Sequence, residues 1–117
     1  MQVYGKPTSI NVRKVLWTLA ELETDTELLP CGSGFAPIDT AEFRQLNPNV
    51  LVPVLQDGDF VLWESNSICR YLVRKIGHPT LLGGDLQQMA KVEQWMDWQA
   101  CELNPAWRYA FMALVRQ

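Results

Sequence analysis

Two short stretches of the sequence carry residue types that could bind a small molecule. Val52-Pro53 opens an apolar run, and Glu64-Ser65 places an acid and a hydroxyl at the predicted start of a helix. A helix N-terminus offers unpaired N–H groups and the positive end of the helix dipole, which favour an anion. Together the two stretches predict a site that presents backbone hydrogen-bonding groups and a helix N-terminus to a peptide-like ligand.

The elements that position these stretches begin with a strand, a helix and a second strand. Residues 3–4 and 28–30 are short apolar runs, which are typical of strands. Between them, apolar residues spaced three and four apart from Val12 onward predict a helix. A hydroxyl residue just before this run, such as Ser9, is an N-cap signal. A βαβ unit of this kind favours a parallel strand pair with a right-handed crossover.

A hairpin and two further helices complete this region. Residues 40–46 predict a short helix that stops before an Asn-Pro pair. An Asp-Gly pair between the apolar runs 52–55 and 60–63 is a strong hairpin signal. A helix then follows over residues 65–76, with Gly77 at its C-cap. The pattern predicts an α/β fold in which a mixed four-stranded sheet is packed with helices.

The last part of the sequence has a different character. Residues 78–85 contain two adjacent glycines and predict a linker. Residues 86–117 predict a long helix that is kinked or stepped near Pro105. The apolar residues of this helix cover more than one stripe, so the helix should be surrounded by other surfaces. No cap or stop signal is visible at its end, and we expect a fragment or a surface buried against a second copy.

Composition limits the classes of partner. The 117 residues suffice for one domain with a core. A net charge of −3 gives no electrostatic reason to bind nucleic acid or an anionic membrane. No apolar run approaches the ~20 residues that a membrane span needs. The first residues lack the basic and apolar regions of a signal peptide, so we expect a cytosolic protein.

The cysteines and the histidine do not indicate a metal site. Cys31, Cys69 and Cys101 are odd in number and form no CxxC pair, which predicts neither a disulfide framework nor metal binding. Such thiols usually pack as small hydrophobic side chains. His78 lies beside a proline in a predicted loop, and one histidine cannot build a zinc site alone.

Five segments follow one another in an order and at a spacing that are familiar from one enzyme family. They are residues 4–5, 9–15, 47–49, 52–55 and 63–72. These segments resemble the cytosolic glutathione S-transferases, and the match is closest to bacterial members of the serine-type, theta/phi-like branch. The resemblance implies a thioredoxin-like glutathione-binding domain over residues 1–77, a linker over 78–85, and the first long helix of an incomplete all-helical domain over 86–117.

The resemblance implies a role for each of the two stretches. Val52-Pro53 would contain a cis peptide bond, and the Val52 backbone would pair with the cysteinyl backbone of glutathione. A trans proline at a strand start is the alternative. Glu64 would receive the α-ammonium of the γ-glutamyl group, and Ser65 would bind its α-carboxylate. Alternatively, Ser65 is an N-cap and Glu64 an acid that complements the helix dipole, although capping and ligand binding do not exclude each other.

The same resemblance assigns the activation of the thiol to the start of the first helix. Ser9 would donate a hydrogen bond to the glutathione sulfur, and Asn11 would assist or hold the loop. A thiol with a pKa near 8.5 is only slightly ionised at neutral pH, and a hydroxyl donor at a helix N-terminus favours the anion. The alternative is that Ser9 is only an N-cap, and Thr8 competes for both roles.

Other residues near these motifs receive different interpretations. Tyr4 lies inside the first strand and is interpreted as a core residue. No cysteine occupies the Ser9 position, which argues against a disulfide reaction of the glutaredoxin type. Arg108 is a candidate partner for a carboxylate, or else a solvated side chain. The loop over residues 31–40, which in the family helps to bind the glycyl carboxylate, offers no basic residue for that purpose.

The implied function is that of a glutathione S-transferase that conjugates glutathione to small electrophiles in detoxification. Glutathione is the implied co-substrate, and no metal is expected. A cytoplasmic homodimer is expected, without nucleic-acid or membrane partners. The alternatives are a non-catalytic binding or assembly module of the same fold, or a truncated chain with little activity.

Overall fold

The computed structural model describes residues 1–116, and the chain divides into two units between His78 and Pro79. The first unit contains β1 (Gln2–Tyr4), α1 (Ile10–Glu21), β2 (Glu27–Leu29), α2 (Ala41–Leu46), β3 (Val54–Asp57), β4 (Phe60–Trp63) and α3 (Ser65–Ile76). The second unit contains α4 (Leu86–Trp98), a π-helix (Gln99–Leu103) and α5 (Asn104–Leu114).

The strands of the first unit form one mixed sheet. Their order is β2-β1-β3-β4. β1 and β2 are parallel, as expected for strands joined through a helix, whereas β3 pairs antiparallel with both β1 and β4. The predicted α/β fold, with a parallel pair and an antiparallel hairpin in one four-stranded sheet, is confirmed.

The side chains of the central strands point alternately to two layers of helices. Val3 and Leu55 are paired across β1 and β3 and are completely buried. The next pair, Tyr4 and Val54, points to the opposite face because successive strand residues alternate. On that face Val54 packs with Phe43 of α2. α1 and α3 pack against each other, and α3 contacts β3 and β4. The fully buried residues of these two helices are Val12, Val15, Ile68 and Leu72.

Gly5 allows the chain to pass close to α1 as it leaves β1. A Cβ atom at this position would lie 2.5 Å from Cγ2 of Val12, which is completely buried. The Gly5 N–H donates a hydrogen bond to the carbonyl of Leu29 at 3.1 Å, so the backbone here is also tied to β2. Neither the Gly5 backbone nor the Val12 side chain can move away from this contact without disturbing the core.

The third strand begins later than the apolar run suggests. We expected a strand over residues 52–55, but β3 starts at Val54 and continues through Asp57. The difference arises because Pro53 has no N–H to donate to a ladder, whereas Asp57 still pairs with Phe60 across the hairpin. Gly58 in the turn has a φ of 61°, which a glycine adopts readily.

The long helix of the second unit contains the predicted step. A π-helix, Gln99–Leu103, ends two residues before Pro105, and the N–H of Asn104 bonds to the carbonyl of Gln99. Pro105 lacks the N–H that would continue an α-helical ladder, and a π turn is one way to absorb this loss. None of the helices described in residues 1–116 combines the length and the apolarity needed to cross a bilayer.

The prediction that this helix continues to residue 117 is wrong at its end. α5 ends at Leu114. The N–H of Val115 still forms a regular bond to the carbonyl of Phe111, four residues back, but the N–H of Arg116 bonds to the same carbonyl, five residues back. Residue 117 itself lies outside the described part of the chain.

A polar cluster attaches the hairpin to α3. The Tyr71 hydroxyl donates a hydrogen bond to Oδ2 of Asp57 at 2.6 Å, and Lys75 forms an ion pair with the same oxygen. Hydrogen bonds from Lys75 and Tyr71 hold the pKa of Asp57 below its usual value. In return, the Asp57 carboxylate raises the pKa of both Tyr71 and Lys75.

We predict that Gly5→Ala destabilises the first unit by about 1–3 kcal/mol, because the added methyl group overpacks the contact with Val12. Gly84→Ala is the matched control, since its Cβ would meet its nearest atom, Oε1 of Gln88, only at 3.4 Å. This change should alter the free energy of unfolding by less than about 1 kcal/mol. Urea denaturation followed by circular dichroism measures both values, and equal losses in the two variants would contradict the prediction.

We also predict that Tyr71→Phe raises the pKa of Asp57 toward the usual value of about 3.9. Because the folded-state pKa lies below the unfolded one, the cluster stabilises the fold above the unfolded pKa. That stability is lost as the pH falls from the unfolded pKa through the folded pKa. In the variant the contribution should be smaller, because the folded pKa of Asp57 is higher. The carboxyl carbon shift of Asp57 in an NMR titration measures this, with Tyr109→Phe as the control that should leave the curve unchanged.

Candidate functional site

One row of paired residues across β1, β3 and β4 determines where the predicted site lies. Tyr4 of β1 is paired with Val54 of β3, and Val54 is paired with Trp63 of β4. Paired residues of antiparallel strands have Cα atoms about 4.5–5.5 Å apart. The end of β1, the start of β3 and the end of β4 therefore lie side by side within about 11 Å.

The segments that leave this row contain all the predicted site residues. One segment follows β1, one precedes β3 and one follows β4, and they carry Ser9, Asn11, Val52, Pro53, Glu64 and Ser65. The fold thus brings three separate parts of the sequence to the same edge of the sheet.

The segment before β3 contains the predicted cis peptide bond. The Val52-Pro53 bond is cis, and the alternative of a trans proline is wrong. Pro53 is buried and Val52 is half-buried. Within residues 1–116, no hydrogen bond is formed by the backbone N–H or C=O of Val52. Both groups can therefore bond to a ligand without first losing a partner in the protein.

The segment after β4 differs in one respect from the expectation. Glu64 is the N-cap of α3 and Ser65 is its first helical residue, so the alternative in which Ser65 is the N-cap is wrong. Glu64 has a φ of 77° and a ψ of 113°, in a region that L-residues other than glycine rarely occupy. Conformations of this kind cluster at functional sites. No signal in the residue types would have revealed it.

The Ser65 side chain has the surroundings of a ligand-binding group. Ser65 is 8% exposed, and no intramolecular hydrogen bond of its hydroxyl is found in the described part of the chain. The first α-helical bond of α3 runs from the N–H of Ile68 to the carbonyl of Glu64 at 2.9 Å. An anion near Ser65 would meet the amides that precede this bond.

Ser9 is the N-cap of α1 by its backbone but not by its side chain. Its φ and ψ are −67° and 131°, and its carbonyl accepts the N–H of Arg13 at 2.9 Å. The Ser9 hydroxyl forms no capping hydrogen bond. The alternative, in which this side chain serves only to cap α1, is therefore not supported. Asn11 is half-buried in the first turn of α1, whereas Thr8 is exposed.

Tyr4 is engaged within the fold, as predicted for a core residue. Its hydroxyl donates a hydrogen bond to Oε1 of Gln56 at 2.9 Å, and its ring meets Phe43 edge-on at 6.5 Å between centroids. Arg108 is exposed on α5 in the other unit.

The protein's own buried thiols are held in the protonated form. Burial raises the pKa of Cys69, and the Thr18 hydroxyl, 3.2 Å from its sulfur, offsets this only in part. Burial also raises the pKa of Cys31. Burial lowers the pKa of Lys14, although the nearby Cys69 and Glu64 oppose this effect. A raised pKa suppresses the nucleophilic thiolate form of both cysteines.

Sequence reasoning overlooked Asn47. Residues 47–49 were interpreted as a helix stop and as part of the family resemblance, but the Asn47 side chain was given no role. It is almost completely buried and bonds to the loop that leads to Val52. The available signal was a polar residue with four possible hydrogen bonds close to the proline segment.

The described residues contain no group of three or more His, Cys, Asp or Glu side chains placed to hold a metal ion. The chemistry that the site offers consists of hydroxyls, amides, one carboxylate and two helix N-termini.

Comparison with known proteins shows which protein family the chain is similar to. A family model described as the glutathione S-transferase N-terminal domain matches residues 1–74. The chain is 43% identical over 116 residues to glutathione S-transferase GstB of Escherichia coli, covering 97% of this chain and 56% of that protein. It is 34% identical to a probable glutathione S-transferase, GSTF2, of Oryza sativa, covering 99% of this chain and 54% of that protein.

A solved glutathione S-transferase structure is similar to this chain in its fold. The theta class glutathione S-transferase of Xanthomonas axonopodis pv. citri, determined with glutathione bound, superposes with a TM-score of 0.91 at 39% identity. The match covers 99% of this chain and 56% of that one. The chain thus spans about half the length of the relatives that it matches.

Proposed function

This chain belongs to the glutathione S-transferase family, and from that membership we propose that its first unit binds glutathione and stabilises the thiolate for transfer to small electrophiles. The domain assignment that goes with this proposal is a glutathione-binding domain over residues 1–77 and a linker over 78–85. Residues 86–117 would then begin an all-helical domain, and the helix that ends at Leu114 would be its first long helix.

The observation that carries the proposal is the shared row of Tyr4, Val54 and Trp63. This row gathers an unpaired backbone segment and two helix starts at one edge of the sheet. The Val52 N–H and C=O would pair with the cysteinyl residue of glutathione as a short antiparallel strand does. The ligand's sulfur would then point to the neighbouring segment that carries Ser9.

The γ-glutamyl end of glutathione suits the start of α3. Its α-carboxylate would accept bonds from the Ser65 hydroxyl and from backbone amides of the first turn, where the helix dipole is positive. Its α-ammonium would pair with the Glu64 carboxylate, and charge-assisted hydrogen bonds of this kind are the stronger ones. The left-handed backbone of Glu64 supports this role, because it turns the chain sharply at the point where β4 becomes α3.

The sulfur of glutathione suits the start of α1. The free hydroxyl of Ser9 would donate a hydrogen bond to it, and the N-terminal amides of α1 add a positive field. Ser9 would act as a donor to an anion and would not need to remove a proton itself. Asn11 would assist through its amide or hold the loop.

We propose a cytoplasmic, bacterial enzyme of detoxification that works as a homodimer. The exposed apolar side chains of α4 and α5 support an assembly of this kind, since Trp95 and Leu114 are 62% and 76% exposed. The small electrophile is the second substrate.

The proposal is tested by calorimetric titration of the chain with reduced glutathione, for which we expect binding in the micromolar to millimolar range. Ser65→Ala should weaken binding by about ten- to a hundredfold, because a hydrogen bond to a charged group is worth about 1.5–3 kcal/mol. Ser67→Ala is the matched control. Ser67 lies about 200° around the helix from Ser65, beside Phe60 and Tyr71, and this change should leave the Kd unchanged.

The two possible failures have different meanings. A folded wild-type chain that binds no glutathione would overturn the proposed function and favour a module without this ligand. Equal affinities of the wild type and Ser65→Ala would leave glutathione as the ligand but would remove Ser65 from its site.

We predict that Ser9→Ala raises the pKa of the bound glutathione thiol by about one to two units, since a hydrogen bond to a charged group is worth about 1.5–3 kcal/mol and one pKa unit corresponds to about 1.4 kcal/mol. The ultraviolet absorbance of the thiolate, followed against pH in the saturated complex, measures this pKa. Thr8→Ala removes the neighbouring exposed hydroxyl and should not shift the curve. If Thr8→Ala shifts the pKa and Ser9→Ala does not, the roles of these two residues are reversed.

A further inference from the structure

A buried carboxamide organises the loop that leads into Val52. Asn47 is 2% exposed and closes α2 by donating its N–H to the carbonyl of Phe43 at 2.9 Å. Its Nδ2 atom donates a hydrogen bond to the carbonyl of Leu51 at 3.0 Å. Its Oδ1 atom accepts bonds from the N–H and the side-chain amide of Asn49 at 2.9 and 3.0 Å. One side chain thus holds both ends of a short loop.

The backbone of this loop has a conformation that needs such support. Val50 has a φ of 55°, which is a genuine outlier for a β-branched residue. The Val50 N–H donates to the Asn47 carbonyl at 3.0 Å, so the strained residue lies inside the set of bonds that Asn47 makes. Strained backbone persists only where its surroundings hold it in place.

The bond to Leu51 has a direct consequence for Val52. The Leu51 carbonyl and the Val52 N–H belong to one planar peptide group, and this group is trans because the cis bond is the next one, between Val52 and Pro53. In a trans peptide the C=O and N–H point in opposite directions. When Asn47 holds the carbonyl, it therefore also directs the Val52 N–H away from itself. A bond to the carbonyl polarises the peptide and strengthens its N–H as a donor.

We propose that Asn47 is a positioning residue for ligand binding, which orients the Leu51–Val52 peptide so that the Val52 N–H donates to the cysteinyl carbonyl of the ligand. This inference rests on the proposed glutathione function and deepens it. Asn47 does not contact the ligand. It acts through the peptide group that does.

The test compares Asn47→Asp with the wild type and with Asn49→Ala. Asn47→Asp is nearly isosteric and keeps an oxygen for the Asn49 N–H, but its ionised carboxylate cannot donate to the Leu51 carbonyl. The titrations are made at about pH 8 to favour this form, because burial raises the pKa of a carboxyl group. Asn49→Ala leaves the bond between Asn47 and Leu51 intact. Calorimetry with reduced glutathione, far below the thermal midpoint of each variant, should show about tenfold weaker binding by Asn47→Asp. Asn49→Ala should stay within about twofold of the wild type.

A second readout separates positioning from general loosening of the fold. In ¹⁵N–¹H NMR spectra, reduced glutathione should shift the Val52 amide resonance of the wild type strongly. At saturating glutathione, Asn47→Asp should show a much smaller Val52 shift but a wild-type shift of the Ser65 amide. Equal reduction of both shifts would indicate a merely structural role and would overturn the proposal. Wild-type affinity in a folded Asn47→Asp variant would also overturn it.

The wild-type spectra keep the proposal testable if Asn47→Asp does not fold. A Val52 amide that does not respond to saturating glutathione, while other resonances move, would refute the role of Asn47 but leave glutathione binding in place. If no resonance of the wild type responds, the proposed function itself fails.

Discussion

The antiparallel pairing of β3 with both of its neighbours is the constraint on which the candidate site depends. Tyr4, Val54 and Trp63 share one row, so the segments that follow β1, precede β3 and follow β4 start from adjacent points. A shift of β3 by one residue would turn each of its side chains to the other face. Val54 would then leave the cluster around Phe43, and the proline segment would lose its place between the two helix starts. The buried core therefore also determines the geometry of the site.

Two helices begin at this edge, and neither has a side-chain hydrogen bond from its N-cap residue. α1 and α3 carry no acidic residue in the first turn, and neither the Ser9 nor the Glu64 side chain caps its helix. By contrast, the side chains of Thr40 and Asp85 do cap α2 and α4. Capping usually stabilises a helix by about 1 kcal/mol. Its absence at the two helix starts beside the proline segment leaves hydroxyls and amides available for an anionic ligand, as expected where function outweighs local stability.

The features that were predicted from the sequence depend on backbone preferences of single residue types. Those that were missed depend on a backbone conformation that the residue type does not favour, or on which atoms a side chain bonds to. The Asp-Gly turn and Gly77 mark their elements through their own φ and ψ preferences. The left-handed conformation of Glu64 and the bonds of Asn47 are created by the path of the surrounding chain, which residue types alone do not show. The start of β3 was misplaced for a different reason, because the predicted run included Pro53, which has no N–H to join a ladder.

The two units differ in how completely they bury their apolar side chains, and this separates two parts of the proposed reaction. All groups assigned to glutathione lie in the first unit, where Val3, Leu55 and Ile68 are completely buried. Neither α4 nor α5 contains a buried residue. In the proposed reaction, thiolate stabilisation would depend on hydrogen bonds and helix termini of the first unit. Capture of an apolar electrophile depends instead on burying apolar surface. Substitutions at the edge of the sheet should therefore act on glutathione affinity and thiol pKa, independently of electrophile preference.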